Sequence, residues 1–264
     1  MVMKKLCFVC NEPIEKFMSF GKMPIANGFI KAEDFEKEYF FEMQVGFSEK
    51  SKMFQLLNQP EPSQMFNDNY AFFSGTSIYM KKHFEIFSNN VAKKYLLNKK
   101  NPFVVEIGSN DGIMLENFQK KGINHLGIEP SENVANVAKK KGINTLVEFF
   151  DLNLAKKIVE DYGKADAFLA ANVMCHIPYI NSIVEGIRYL LKKDGVVIFE
   201  DPYLGDVIQN TTYDQIYDEH TFLFSVHSIK YLFNKFGMEV VDVDRQKTHG
   251  GSMRYTIAHK GEKK

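Results

Sequence analysis

A short apolar strand that runs directly into a glycine-containing loop is the feature that most constrains the fold of this 264-residue chain. Residues 103–107 form the kind of apolar run that a buried parallel strand requires, and the pattern Glu106-x-Gly108-x-x-x-Gly112 lies across its end. Glycine permits a tight turn after the strand and lets the backbone approach a ligand at the start of a helix. The pattern predicts a ligand-binding loop at the carboxyl end of a parallel strand.

Strand and helix patterns alternate from residue 103 onward. Further strands are predicted at 144–149, 165–171 and 195–200, helices beginning near 113 and 131 and at about 152–162, 179–192 and 226–236, and closing strands at 238–244 and 252–259. Parallel strands that are separated by helices of this length form a sheet with right-handed crossovers. We therefore expect an α/β fold with a Rossmann-like sheet.

The first hundred residues have a different organisation. They contain short loops, a Cys7-x-x-Cys10 pair, proline-bearing segments and a predicted helix near 78–98. We therefore predict a small N-terminal α+β domain at 1–98, a sheet domain at 99–259 and a solvated tail at 260–264.

The composition excludes several classes of protein. The 33 basic and 33 acidic residues cancel, whereas a general nucleic-acid binder needs a concentrated basic surface. No apolar run approaches the roughly 18 residues of a membrane helix, and the apolar start ends at Asn11, which is too short for a signal peptide. Three cysteines do not form a disulfide framework. We expect a soluble cytoplasmic protein that acts on a small molecule, without nucleic-acid or membrane partners; its oligomeric state is open.

An acid at the end of a second predicted strand, in the string Leu126-Gly-Ile-Glu129, indicates the class of ligand. Glu129, which is followed by Pro130, lies twenty-one residues after Gly108, where an acid can hold both hydroxyls of a ribose. A dinucleotide would place its pyrophosphate on the loop, where Asn110 is followed by Asp111, and a carboxylate there repels phosphate. S-adenosylmethionine instead carries a sulfonium, an ammonium and a ribose. The residues favour S-adenosylmethionine over a dinucleotide; a helix-cap loop without a ligand is the alternative.

Other candidate residues follow the third and fourth predicted strands. Phe149 and Phe150 are placed to flank and cap an adenine, or they are core residues, which is the commoner role of a phenylalanine pair. Asn172 is predicted to face the crevice in which folds of this type bind ligands. His176 is either a site residue or a capped loop histidine, and we favour the site.

A polar segment after the fifth strand predicts a catalytic group. Tyr217, Glu219 and His220 offer a phenol, a carboxylate and an imidazole within four positions. A histidine that titrates near neutrality can take a proton, and a carboxylate can orient it; the alternative is an exposed polar helix. Nearer the end, His249 and Arg254 are predicted to receive a phosphate or sugar oxygens, or they flank only a hairpin turn.

Several separated strings resemble the sugar C-methyltransferases of deoxysugar biosynthesis, which act on nucleotide-linked 4-keto sugars with S-adenosylmethionine. The strings are residues 23–27, 106–115, 127–131, 172–178, 200–205, 214–220 and 249–251. The resemblance runs from Cys7 to about His259. It implies a class I methyltransferase sheet with a substrate-binding N-terminal domain, and C-methylation of a keto sugar in surface-glycan or deoxysugar biosynthesis.

The resemblance also assigns roles to the polar segment. It implies that His220 is the base that removes the proton beside the ketone. Tyr217 and Glu219 would position the sugar and the imidazole, and His176 would lie nearby. A proton beside a carbonyl is acidic enough for a positioned imidazole when the enolate is stabilised.

The N-terminal module departs from the family. In that family it holds zinc with two Cys-x-x-Cys pairs, whereas here Cys7 and Cys10 match one pair and Ser48-Glu-Lys-Ser51 aligns with the other. A serine hydroxyl is a poor zinc ligand beside thiolates, and a closed structural site needs four donors. We therefore expect no zinc and predict no metal ligand.

Two further departures concern the acceptor. Tyr70 and Tyr203 lie in matching segments and are predicted to bind the substrate, but Phe72 stands where the family often has a second tyrosine. No counterpart of the family's C-terminal domain, which helps to hold the nucleotide-sugar, follows His259. O-methylation of a small phosphorylated or capsule-precursor metabolite is therefore an alternative. A non-catalytic partner protein that binds S-adenosylmethionine is a third hypothesis.

Overall fold

The computed structural model describes residues 5–60, 65 and 73–263, and two β-sheets organise them. The strands are β1 (Glu15–Pro24), β2 (Phe40–Ser48), β3 (Met53–Leu56), β4 (Phe103–Ile107), β5 (Asn124–Ile128), β6 (Thr145–Leu146), β7 (Ala165–Ala171), β8 (Leu191–Pro202), β9 (Phe222–Leu223), β10 (Met238–Gln246) and β11 (Ser252–His259). The helices are α1 (Ile78–Val91), α2 (Leu115–Gln119), α3 (Glu132–Lys140), α4 (Leu152–Tyr162), α5 (Ile180–Leu190), α6 (Leu204–Asn210) and α7 (Val226–Asn234).

The larger sheet has seven strands in the order β10-β11-β8-β7-β4-β5-β6. Strands β4 to β8 are parallel, and β11 pairs antiparallel with both β8 and β10. All five residues of β4 are buried, as is expected for a parallel strand that is covered on both faces. The predicted Rossmann-like α/β sheet of the class I methyltransferase type is confirmed. The carboxyl ends of β4, β5 and β7 lie side by side, so the loops that follow them share one edge of the sheet.

The smaller sheet is antiparallel, in the order β1-β2-β3-β9. Its last strand comes from far along the chain, because Phe222 and Leu223 pair with Gln55 and Phe54 of β3. Burial along β2 alternates over its first residues, and the inward side chains of this sheet form a cluster with Val207. The small sheet is therefore joined to the segment that follows β8. The boundaries of the two predicted domains stay a prediction.

Helix α1 links the two sheets. Its N-cap is Ser77, whose hydroxyl accepts the backbone N–H of Met80, and its buried stripe includes Phe84, Phe87 and Val91 at helical spacing. The helix continues as a π-helical turn over Ala92–Leu96, so the predicted helical stretch at 78–98 ends two residues early.

Several predicted elements are shorter than expected, among them the helix after β4 and the strand at the edge of the sheet. The helix expected from residue 113 begins at Leu115, because the backbone after Gly108 first forms a loop with positive φ at Asn110 and Gly112. The strand expected at 144–149 is reduced to Thr145–Leu146 at the edge of the sheet. Within the described residues, no helix combines the length and the apolar character that crossing a membrane would need.

Candidate active site

A cleft of about 1260 Å³, counted with its solvent-open part, lies at the carboxyl ends of β4, β5 and β7. Nine residues that the sequence singled out line it. They are Gly108, Asn110, Glu129, Pro130, Phe149, Phe150, Asn172, His176 and His249. The remaining candidates among the described residues lie outside its wall. They are Glu106, Asp111, Gly112, Tyr203, Tyr217, Glu219, His220 and Arg254. Tyr70 and the neighbouring Phe72 lie outside the described residues.

The loop after β4 is shaped by glycine at two positions. Gly108 has a φ of +58°, and a Cβ there would lie 2.3 Å from Cγ2 of Val173. Gly112 has a φ of +79°, and its Cβ would lie 2.9 Å from the Ile143 side chain. Both positions therefore combine a left-handed backbone with a close neighbour, and only glycine satisfies the two conditions without a shift.

The Glu129 carboxylate ties the ends of β4 and β5 together. Its two oxygens accept the backbone N–H groups of Asn110, at 3.0 Å, and of Ser131, at 2.9 Å. Burial raises the pKa of this carboxyl, and the two backbone hydrogen bonds act against that shift. Each oxygen keeps a second lone pair, so the carboxylate can accept further hydrogen bonds from a ligand in the cleft.

Two of the predicted acids lie behind the loop rather than in the cleft. Glu106 is fully enclosed, and burial together with the Glu129 and Asp111 carboxylates raises its pKa well above the usual value. The Asp111 carboxylate forms an ion pair with Lys141, with Oδ2 and Nζ 3.2 Å apart. Asp111, which the sequence predicts as a partner for a cationic ligand, contacts a lysine of this chain.

The loop after β7 brings His176 into the cleft wall. The carboxyl group of Asp201 holds this loop, because its Oδ1 accepts the backbone N–H of Val173 at 3.0 Å and its side chain is hydrogen-bonded to Cys175. Burial raises the pKa of Asp201 to about 8. Burial also lowers the pKa of His176 well below its usual value, with smaller contributions from the imidazoles of His220 and His249. His176 is therefore uncharged at neutral pH.

His220 lies directly behind His176, with the two rings stacked at a centroid distance of 5.2 Å. Its Nδ1 lies 2.7 Å from the carbonyl oxygen of Gln215. A carbonyl only accepts hydrogen bonds, so Nδ1 carries the proton and Nε2 carries the lone pair. Nε2 is buried and has no hydrogen-bond partner among the described residues. Burial lowers the pKa of this imidazole to about 4, so His220 is a neutral base with its lone pair held on one defined nitrogen.

The segment that carries His220 is fastened to the N-terminal part of the chain. Asn27 donates to Glu219 at 2.6 Å, and the backbone N–H of Ala26 donates to Asp218 at 3.1 Å. The Tyr217 ring packs against the His220 imidazole, with centroids 4.3 Å apart. The sequence predicts that Glu219 orients the imidazole. In the structure Glu219 accepts a hydrogen bond from Asn27, and His220 donates one to a backbone carbonyl. The string at 23–27 thus has a structural role that spacing alone did not reveal.

The sequence did not predict a buried ion-pair network at the cleft. Arg254 donates to Oε2 of Glu200 through Nε and Nη2, at 2.9 and 2.7 Å, and packs 3.9 Å above the Phe87 ring. His83 of α1 bonds the other oxygen of Glu200. Burial raises the pKa of Glu200, but its partners outweigh burial and lower it overall. Arg254, which the sequence offered for phosphate, is therefore engaged by a carboxylate.

The remaining candidates divide between the cleft surface and its surroundings. Phe149 is about half exposed and Phe150 is buried, so one ring faces solvent while the other packs in the core. His249 is exposed at the cleft with a φ of +51°. Tyr203 is partly buried and packs against the main core.

The described wall of the cleft carries three carboxylates, from Glu129, Glu148 and Glu200, and neither lysine nor arginine. The Glu200 charge is offset by Arg254, so the net character of the wall is acidic. Such a wall favours a cationic ligand and disfavours a phosphate. The strand order of the larger sheet is that of a class I methyltransferase fold.

Comparison with known proteins agrees with this fold. A family model described as "Methyltransferase domain" matches residues 81–243, and one described as "Putative zinc binding domain" matches residues 7–66. The chain therefore belongs to the methyltransferase family, and the predicted enzyme class is confirmed.

Curated relatives are similar to different lengths of the chain. A C-methyltransferase, NovU, of Streptomyces niveus is 30% identical over 249 residues, which is 94% of this chain and 59% of that protein. A ubiquinone biosynthesis O-methyltransferase of Colwellia psychrerythraea is 26% identical over 109 residues, 39% of this chain and 44% of that protein. The chain thus spans about three-fifths or less of the length of these relatives.

Solved structures share the fold at low sequence identity. The magnesium protoporphyrin IX methyltransferase of Synechocystis PCC 6803, solved with bound SAH, has a TM-score of 0.54 and 13% identity, covering 68% of this chain and 83% of that one. The plantazolicin methyltransferase BpumL, also with SAH, has a TM-score of 0.51 and 14% identity, covering 67% of this chain and 82% of that one.

The buried Glu106 generates a prediction about stability and pH. Because its pKa is raised in the folded chain, the stability it contributes is present at low pH and is lost as the pH rises, since the unfolded chain ionises first. We expect Glu106→Gln to raise Tm at pH 8 relative to the unchanged protein by roughly 2–4 °C, and by less at pH 5. Thermal unfolding at both pH values measures this, with the exposed Glu160→Gln as the matched control. An equal Tm change at both pH values would contradict it.

Proposed function

We propose that this chain is an S-adenosylmethionine-dependent C-methyltransferase that acts on a keto sugar, with His220 as the base. The observation that carries the proposal is the state of His220: Nδ1–H is held by a backbone carbonyl, and a buried Nε2 lone pair has no described partner. The relative that matches most of the chain carries the name of a C-methyltransferase, which supports the same chemistry.

The residues of the cleft fit S-adenosylmethionine, which when bound supplies an electrophilic methyl group. Gly108 and Asn110 form a backbone loop at the strand end, and a ligand can approach that loop closely. Glu129 has lone pairs available for ribose hydroxyls, and Phe149 offers a half-exposed ring for the adenine. Asn172 contributes a buried side-chain oxygen, Oδ1, without a hydrogen-bond partner among the described residues. A hydrogen-bond donor of the ligand would satisfy that oxygen.

The His220 imidazole would remove a proton from the acceptor. Nε2 of His220 would accept the proton from the carbon beside the ketone, and the carbanion formed there would be the nucleophile for the methyl group that S-adenosylmethionine supplies when bound. His176 lies between the cleft and His220, so its ring controls access to the base. Catalytic hydrogen bonds often tighten only when the substrate is bound. Tyr217 packs on the base and limits its rotation.

The charges of the cleft limit the class of acceptor that can enter it. A phosphate or diphosphate is normally held by arginine or lysine, and the described wall has neither. The part of the acceptor that enters the cleft is therefore an uncharged sugar ring, and a linked nucleotide would be held outside it. The same observation disfavours O-methylation of a phosphorylated metabolite. O-methylation of an uncharged acceptor is the second candidate, supported by the partial match to the ubiquinone biosynthesis enzymes.

The cofactor assignment predicts a binding result. Glu129→Ala removes two acceptor oxygens from the cleft, so we expect the Kd for S-adenosylmethionine in calorimetry to rise at least tenfold, as loss of a charged hydrogen bond implies. The exposed Glu160→Ala should bind as the unchanged protein does. Because Glu129 also holds the loop, a thermal unfolding curve of each variant accompanies the titration. Undiminished binding by a folded Glu129→Ala would refute the assignment.

The base assignment predicts an exchange result. In heavy water, with a nucleotide-linked 4-keto sugar, we expect deuterium to enter the carbon beside the ketone without methyl transfer. Mass spectrometry measures this exchange. His220→Ala should slow it by at least about a hundredfold, because general base catalysis contributes that much, while S-adenosylmethionine binds unchanged. An O-methyltransferase shows no exchange. Exchange that survives His220→Ala but is lost in His176→Ala would move the base to His176.

The pKa of about 4 for His220 predicts how the site responds to pH. A lowered histidine pKa means that the neutral form persists as the pH falls through 6.5, and half of the molecules are protonated only near pH 4. NMR of the imidazole should therefore show no titration of His220 between pH 8 and 5.5. The signal is assigned by its loss in His220→Asn. A midpoint near 6.5 would contradict the buried, neutral base.

A further inference from the structure

The turn at Cys7–Cys10 faces the turn at Ser48–Ser51, and the four side chains form one cluster. The Sγ of Cys7 lies 3.2 Å from Oγ of Ser51, and the Sγ of Cys10 lies 3.6 Å from Oγ of Ser48. Ser48 Oγ also accepts the backbone N–H of Ser51 at 3.3 Å. Two thiols and two hydroxyls therefore converge at the positions where a closed zinc site would have four thiolates.

This donor set does not fit the zinc that the matching N-terminal family model implies. Structural zinc sites use four ligands drawn from thiolates, imidazoles and carboxylates, and an alcohol is not among them. Here each hydroxyl is already paired with a thiol. We propose that the cluster of Cys7, Cys10, Ser48 and Ser51 is a metal-free closure, in which two thiol–hydroxyl hydrogen bonds replace the metal–ligand bonds.

Hydrogen bonds from the helical side of the larger sheet stabilise the Cys7–Cys10 turn, which is the role that a bound metal has in a zinc site. Asn181 of α5 donates to the carbonyl oxygens of Phe8 and Val9, at 2.8 and 3.2 Å. Lys235, just after α7, donates to the same Val9 carbonyl at 2.7 Å. Structural zinc stabilises a small module whose own core is insufficient. A turn that is held from outside by three hydrogen bonds needs no such ion.

Packing against the main hydrophobic core also stabilises the Cys7–Cys10 turn. Cys7 and Val9 are fully buried and belong to the main hydrophobic core, together with Met53 of β3. The backbone within the turn is also satisfied, since the N–H of Asn11 donates to the carbonyl of Cys7 at 2.8 Å. Burial of these apolar side chains stabilises the turn by the hydrophobic effect, so its fold does not depend on a bound ion.

Metal analysis of the full chain tests the proposal. Another group, Cys175, His176 and His220, places ligand atoms within 4.8 Å of one another and can also take up zinc. The measurement therefore uses a Cys175→Ser background, incubated with zinc chloride and a thiol reductant and then desalted. We expect less than about 0.1 zinc per chain, and a Tm that EDTA changes by less than about 1 °C.

The converse variant tests whether the four positions keep the geometry of a metal site. Ser48→Cys with Ser51→Cys, in the same background, supplies four thiolates, and we expect about one zinc per chain and a Tm that EDTA lowers. Ser48→Ala with Ser51→Ala is the matched control, and it should take up no zinc. A folded double-cysteine variant that takes up no zinc would refute the shared geometry.

The cluster with its own four residues gives a result that does not depend on how the double-cysteine variant folds. One zinc per chain in the Cys175→Ser protein, lost when Cys7→Ser and Cys10→Ser are added, would overturn the proposal. A Tm that EDTA lowers by several degrees in that protein would overturn it as well. These measurements use no substrate, so their outcome is independent of the proposed methyl transfer.

Discussion

The carboxylate of Glu129 is the contact on which the geometry of the cleft depends. It accepts one backbone N–H from the loop after β4 and one from the start of the segment after β5, so a single side chain fixes the separation of two strand ends. The glycine at 108 makes the first of these contacts possible, because its left-handed φ turns the chain back towards β5. A buried carboxylate without such donors would be costly. The loop thus satisfies the acid, and the acid in turn fixes the loop.

The catalytic candidates stand where the two sheets meet. Strand β9 follows β8 of the larger sheet in the chain but pairs with β3 of the smaller sheet. This pairing brings the segment that precedes β9 against the N-terminal part of the chain. Thr221 contributes two hydrogen bonds to this junction. Its hydroxyl donates to the carbonyl of His176 at 3.1 Å and accepts from Gln59 at 2.8 Å. Asn27 and Glu219 add a second link. The position of His220 is therefore a property of the whole chain, although its residue type belongs to one local string.

This division explains what the sequence could predict. Strand β7 and helix α4 have the predicted bounds, because burial on both faces and an amphipathic stripe leave local signals. The loop and Glu129 could be found because strand, glycine and acid follow one another at fixed spacing. Strand β9 has two residues and its partner lies more than 160 positions away, so no periodicity reveals it. The pairing of Glu200 with Arg254 and His83 joins three separate elements, and composition gave no sign of it.

The electrostatic state of the site follows from burial rather than from the residue types alone. Two imidazoles stacked inside the protein cannot both be charged, and burial lowers both pKa values, so the pair is neutral. A protonated His176 in the cleft wall would repel a sulfonium, whereas the Glu129 and Glu148 carboxylates attract one. Keeping the histidines neutral therefore does two things: it preserves the acidic character of the wall, and it leaves a lone pair on His220. Burial lowers the pKa of the His220 imidazole and so makes it a weaker base. The same burial excludes the water that would otherwise compete for the Nε2 lone pair.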